Sequence, residues 1–114
     1  MKIILFGRGQ GGRMAVRWLP TGWELLAFAD NDPKKQGLLS DDLFLSEGMI
    51  NGREAGEIPV IPPAQIPSLS PDLVWITVLN QDAARKIELQ LRDLGYNGLI
   101  QTLQPFRELM DLRL

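Results

Sequence analysis

The sequence predicts an α/β fold built on a doubly wound parallel sheet. Three observations carry that expectation. Short apolar runs alternate along the chain with amphipathic segments of helical period. Two of those runs, KIILF (2–6) and DLVWITVL (72–79), have the near-continuous apolar character of strands buried on both faces. The first run is stopped by four glycines within six positions, Gly7, Gly9, Gly11 and Gly12, directly before an amphipathic segment. That is the pattern of a strand turning tightly into a helix.

The elements follow in order. KIILF is a β-favouring strand ended by Gly7. Over 11–19 the apolar positions Met14, Ala15, Trp18 and Leu19 have helical spacing, with Arg13 and Arg17 on another side, and Pro20 and Gly22 stop the helix. WELLAFA (23–29) reads as the second strand, and DNDPKKQG (30–37) is turn chemistry of Asx residues, proline and glycine. Residues 38–57 have mixed periodicity and read as a long loop with one helical turn near 41–45; loops of this length in a compact domain are usually functional or mobile. IPVI (58–61) is a short strand whose proline suits an edge, and PPAQIPSLSP (62–71) is a connection with one helical turn. DLVWITVL is the clearest strand and reads as central. Residues 82–94 place Ala84, Ile87, Leu91 and Leu94 on one helical face, with Asp82 or Asn80 as the cap and Gly95 as the stop. A short strand over 98–101 and a last helix opened by Pro105, with Phe106, Leu109, Met110 and Leu112 as its apolar contacts, complete the chain. The predicted architecture is a compact sheet of four or five strands in the order 3-2-1-4-5, helices on both faces, in one domain spanning 1–114.

Composition narrows the chemistry. The 114 residues are 45% hydrophobic, enough for a core, and the net charge of −2 gives no electrostatic footprint for nucleic acid. There is no cysteine, which excludes disulfides and thiolate chemistry, and no histidine, which removes the commonest metal ligand and general base. No apolar run approaches a membrane span, and the start lacks the layout of a signal peptide, so the expected location is the cytoplasm.

Gly7, Gly9 and Gly12 meet the spacing G-x-G-x-x-G, with Arg8, Gln10 and the extra Gly11 between them. In such a loop the first glycine permits the turn, the second lets backbone approach a pyrophosphate, and the third lets helix and strand pack closely. Free N–H groups at the helix start then favour an anion. Asp30 lies 23 residues after Gly7, at the end of the next strand, where a carboxylate binds ribose hydroxyls. The competing reading is a tight turn at the glycines and an Asx turn at Asp30. Asp30 argues for a free 2′-hydroxyl and against a 2′-phosphate, an inference that Lys34 and Lys35 weaken. Arg8 is placed to cover a phosphate or to lie in solvent. Asn80 and Gln81 fall at the carboxyl end of the fourth strand, where they either hydrogen-bond a sugar or cap the helix.

KIILFGRGQGGRMAVRWL, the strand ending FADNDPKKQG, IPVIPPAQI, DLVWITV and a helix ending LRDLGY together resemble the small Rossmann-like domains of bacterial surface-polysaccharide and nucleotide-sugar biosynthesis. Such domains occur at the N-terminus of sugar O-acetyltransferases, beside nucleotide-sugar dehydratases and methyltransferases, and as short stand-alone proteins described as NAD-dependent epimerase/dehydratase-like. The resemblance covers nearly the whole chain, and the DNDPKKQG turn followed by PVIPP is its most specific part. It implies a phosphate loop at Gly7, Gly9 and Gly12 and a nucleotide or sugar site bordered by Asp30, Asn31 and Asp32. The stretch 38–57 is longer than the family's connection, which leaves the ligand's identity open.

A catalyst is harder to find. Short-chain dehydrogenase chemistry uses a Tyr-x-x-x-Lys pair, but the sole tyrosine is Tyr96 and Ile100 stands four residues on. Asp41, Asp42 and Glu47 read as solvated loop carboxylates. The chain therefore reads as a nucleotide-binding domain for NAD(H) or a nucleotide sugar, with no metal and no complete catalytic set of its own. Two other readings stay open. One is an NAD-dependent nucleotide-sugar epimerase, dehydratase or oxidoreductase subunit completed by a partner catalytic domain. The other is a degenerate fold used for protein association, as a homodimer for example, through Trp18, Trp23 and the 38–57 stretch.

Overall fold

A computed structural model of the chain describes residues 1–7, 12, 15–20, 22–37, 49–50, 53–54 and 58–102. The strands in chain order are β1 (Lys2–Phe6), β2 (Glu24–Ala29), β3 (Met49–Ile50), β4 (Arg53–Glu54), β5 (Val60–Ile61), β6 (Leu73–Ile76) and β7 (Leu99–Thr102). Five of them form one sheet in the order β5-β2-β1-β6-β7. Every pairing in it is parallel, so the sheet has the expected 3-2-1-4-5 order. The winding reverses between β1 and β6, and the carboxyl ends of those two strands border the crevice where open sheets of this kind take ligands. DLVWITVL is interior as read, but β1 holds the middle, and the ladder stops at Ile76 rather than running through 79. The chain leaves the sheet there, and Leu79 is exposed.

The strands are buried on both faces because both are covered. On one side, Ile4 and Phe6 of β1, Ala27 and Ala29 of β2, Ile61, Val74 and Ile76 pack against Ile66 of a one-turn helix, α1 (Ile66–Leu69), and against Ala84, Ile87 and Leu91 of α2 (Gln81–Asp93). On the other, Ile3, Leu5, Leu25, Phe28, Ile58 and Val60 pack against Ala15, with Val16, Leu19 and Trp23 at the margin. Gly12, Ala15 and Val16 are helical, and Ala15 and Val16 lie on the face opposite α2. The β1–β2 register slips between Ile3 and Ile4: Leu25 faces Ile3, but Ala27 faces Ile4. Leu26 is the unpaired bulge residue, and alternation resets there, so that Leu25 and Phe28 share one face while Ala27 and Ala29 share the other.

Within 38–57 the structure corrects the expectation of a plain loop. Met49 pairs with Glu54 and Ile50 with Arg53 in an antiparallel ladder. The Asn-Gly dipeptide between those strands in the sequence is the strongest short hairpin signal, because both residues tolerate positive φ. The expected helical turn at 41–45 and the last helix at 105–114 lie outside the described residues. The connection at 62–71 contains the single helical turn expected of it, a 3-10 stretch Pro63–Gln65 leading into α1.

Both ends of α2 are closed by local hydrogen bonds. Asn80 is the N-cap, its Oδ1 accepting the Ala83 N–H at 3.0 Å. Asp82 in the first turn and Arg92 in the last complement the helix dipole. At the other end the Gly95 N–H donates to the Arg92 carbonyl and the Tyr96 N–H to the Leu91 carbonyl, each at 3.0 Å, which is the paired closure of a Schellman motif. Removing the cap with Asn80→Ala is expected to cost about 1 kcal/mol. In a thermal melt that appears as a fall in Tm of roughly 4 °C.

Candidate functional site

Gly7 is the first residue past β1. Its N–H donates to the Ala29 carbonyl at 2.7 Å, and its φ of +115° is a conformation that side chains rarely adopt. There is also no space for one. A Cβ on Gly7 would lie 2.9 Å from Thr77 Oγ1 and 3.3 Å from Val78 Cγ2. Gly12 is tighter still, because a Cβ there would overlap the Gly7 carbonyl oxygen. Strand end and helix start are therefore in backbone contact, an approach that only glycine at position 12 permits. Arg8, Gly9, Gln10 and Gly11 lie outside the described residues.

Thr77 closes this contact from the β6 side. It is 1% exposed. Its N–H donates to the Phe6 carbonyl at 2.8 Å, and its hydroxyl hydrogen is shared between the Phe6 carbonyl at 2.9 Å and the Gly7 carbonyl at 3.2 Å. The sequence pointed to Asn80 and Gln81 just beyond it and to no role for Thr77 itself. A lone hydroxyl within the apolar run LVWITVL is the signal that could have found it.

Asp30 stands at the carboxyl end of β2. Its N–H donates to the Ile61 carbonyl at 3.2 Å, and its Oδ1 accepts the Asp32 N–H at 2.8 Å, an Asx turn. The Asp30 carbonyl accepts from Gln36 Nε2 at 2.8 Å, and Asp32 Oδ1 accepts the Lys34 N–H at 3.0 Å. The Gly37 N–H then reaches the Val60 carbonyl at 2.7 Å, so that the DNDPKKQG turn folds back on edge strand β5. Asn31 makes a reciprocal amide pair with Gln90 of α2, at 2.9 and 3.1 Å, which ties this turn to the helix. Asn80 is engaged as the α2 cap, the alternative already weighed against a sugar contact. Since β2, β1 and β6 are neighbours, Gly7, Asp30 and Thr77 fall along one sheet edge, with Gly12, Asn31 and Asn80 next to them in the chain or in contact.

The opposite edge holds a cleft of about 290 Å³ lined by Pro67, Ser70, Pro71, Tyr96 and Gly98, among others. It lies at the amino ends of the strands, away from the ligand edge of this topology. Tyr96 is 3% exposed there, its hydroxyl 2.9 Å from the Leu99 carbonyl and 3.2 Å from the Pro71 carbonyl. Burial pushes its pKa above the ordinary 10.0, with nearby Asp72 adding to the rise and Arg92 opposing it. This is the placement of a structural phenol and not of a proton donor at the glycine edge. The folded state holds the proton more tightly than the unfolded one, so stability should be level below the unfolded pKa and fall as pH rises through and beyond it. Tyr96→Phe should cost about 1 kcal/mol near neutral pH and flatten that alkaline decline in urea titrations run at several pH values. Among the described residues no group of His, Cys, Asp and Glu is arranged to hold a metal ion, and no helix is long and apolar enough to cross a membrane.

The chain matches no protein-family model and no curated protein sequence. Among solved structures it is similar to UDP-D-quinovosamine 4-dehydrogenase from Vibrio fischeri, with a TM-score of 0.60 at 19% identity over 99% of this chain and 85% of that one. A likeness at that identity speaks for the fold. With the parallel 3-2-1-4-5 sheet and its helix-flanked faces, it makes this chain a Rossmann-like α/β protein.

Proposed function

We propose that the protein is a nucleotide-binding domain, taking NAD(H) or a nucleotide sugar at the carboxyl edge of β1, β2 and β6, and serving surface-polysaccharide or sugar biosynthesis in the cytoplasm. The observation that carries this reading is the backbone contact of Gly12 on the Gly7 carbonyl. A turn this close directs a helix start at the edge where an anion is favoured. Asp30 supports it by standing at the end of the adjacent strand, with one carboxylate oxygen in an Asx turn. The similar solved structure is, by its description, a UDP-sugar dehydrogenase, which favours the same ligand class. That likeness also supports a second reading, an NAD-dependent oxidoreductase subunit. Tyr96 lies at the wrong edge for that chemistry, so on this reading a partner chain would supply the proton donor.

Calorimetric titration with NAD+, NADH, NADP+, UDP-sugars and coenzyme A tests the proposal. The expected result is one site for NAD(H) or a UDP-sugar, lost in Gly9→Val. Preference for NAD+ over NADP+ would support the role given to Asp30. No binding by any of them at roughly 1 mM would overturn the reading and leave protein association as the function to pursue.

A further inference from the structure

Thr77 is the one buried polar residue of the described core, and it is spent on the glycine turn. Three groups meet there: the Gly7 carbonyl, the Gly12 backbone and Thr77 Oγ1. The hydroxyl lies 3.2 Å from the Gly7 carbonyl oxygen, and a Cβ on Gly12 would approach Thr77 Oγ1 to 3.4 Å. The Phe6 carbonyl already receives the Thr77 N–H at 2.8 Å, so the ladder from β1 to β6 does not need the hydroxyl. What the hydroxyl adds is a donor that also reaches the first carbonyl beyond the strand, at the point where the chain turns with φ +115°. The same residue begins the short connection to Asn80, the cap of α2. One side chain thus joins the two sides of the crevice, the β1 turn and the β6 exit.

We propose that Thr77 is a positioning residue of the ligand site: its hydroxyl holds the Gly7 carbonyl so that the helix start at Gly12 is presented to the nucleotide in a fixed orientation. The inference rests on the nucleotide-binding reading above. A valine at 77 keeps the branched shape and the backbone bond to Phe6 but removes the donor. A serine keeps the donor and loses a methyl group.

The test is calorimetric titration of wild type, Thr77→Val and Thr77→Ser with NAD+ and with a UDP-sugar, well below each variant's melting temperature. A far-ultraviolet spectrum and a melt accompany each variant. The proposal expects Thr77→Val to bind about tenfold more weakly and Thr77→Ser to stay within about twofold of wild type. A role in stability alone would lower Tm in both variants and leave affinity unchanged, which would overturn the proposal. So would serine binding as weakly as valine, since the hydroxyl would then not be the cause. If Thr77→Val does not fold, Thr77→Ala takes its place as the variant without the donor: about tenfold weaker binding than Thr77→Ser supports the proposal, and equal binding by the two overturns it. Wild type binding no nucleotide would instead remove the reading on which the inference stands.

Discussion

Gly12→Val should unfold much of the protein's margin of stability. The first atom added would overlap the Gly7 carbonyl oxygen, which is backbone and cannot turn aside as a flexible side chain would. Either the helix start moves away from β1, or β1 and the turn at Gly7 shift against Thr77. The first opens the packing of Ala15 on Leu5 and Phe28, and the second strains the hydrogen bonds to Phe6 and Gly7. Overpacking of a tight contact costs about 1–3 kcal/mol, and backbone overlap belongs at or above the top of that range. A cost of about 3 kcal/mol lowers Tm by roughly 12 °C. Urea unfolding with the m-value fitted separately distinguishes this from a change in compactness. A variant within about 0.5 kcal/mol of wild type would mean that the helix does not pack on the Gly7 carbonyl.

Phe28→Ala has the other large expected effect. Phe28 is fully buried on β2, on the face that the bulge at Leu26 turns toward Ile3, Leu5 and Ile58. Truncating a buried phenylalanine costs about 3–5 kcal/mol, part of it for the cavity left behind. Leu79→Ala provides the contrast: Leu79 is 62% exposed and should change stability by less than about 0.5 kcal/mol. The bulge decides which face loses the ring. Without the slip, alternation from Leu25 would put Phe28 on the face of Ile4 and Phe6.

Much of the fold was legible because its strongest signals are local. KIILF ending at Gly7, DLVWITVL, and the 3.6-residue spacing of Ala84, Ile87 and Leu91 identify two strands and a helix without reference to anything distant. Alternation of these elements then leads to a parallel sheet. What escaped depends on pairing. The bulge at Leu26 cannot be read from ELLAFA, because it exists only in the register against Ile3 and Ile4. The β3–β4 ladder did have a local signal in MINGRE, overlooked because two-residue strands show no periodicity. At the candidate site, the sequence located Gly7, Gly12 and Asp30 through spacing. The engagement of Asn31 with Gln90, and of Thr77 with the Phe6 and Gly7 carbonyls, is long-range; the lone hydroxyl in LVWITVL marks Thr77, but no local pattern names the partners of either residue. Asn80 was legible in both of its roles, and the structure shows the cap.

A nucleotide at the carboxyl edge of the sheet would be felt by the backbone amides around it. Backbone amide shifts recorded while NAD+ or a UDP-sugar is added to the labelled protein test that placement most directly. Saturable shifts are expected at Gly7, Gly12, Asp30, Asn31, Thr77 and Asn80, with Ser70, Tyr96 and Gly98 at the other edge unmoved. Shifts confined to Ser70, Tyr96 and Gly98, or none anywhere at saturating ligand, would contradict that placement.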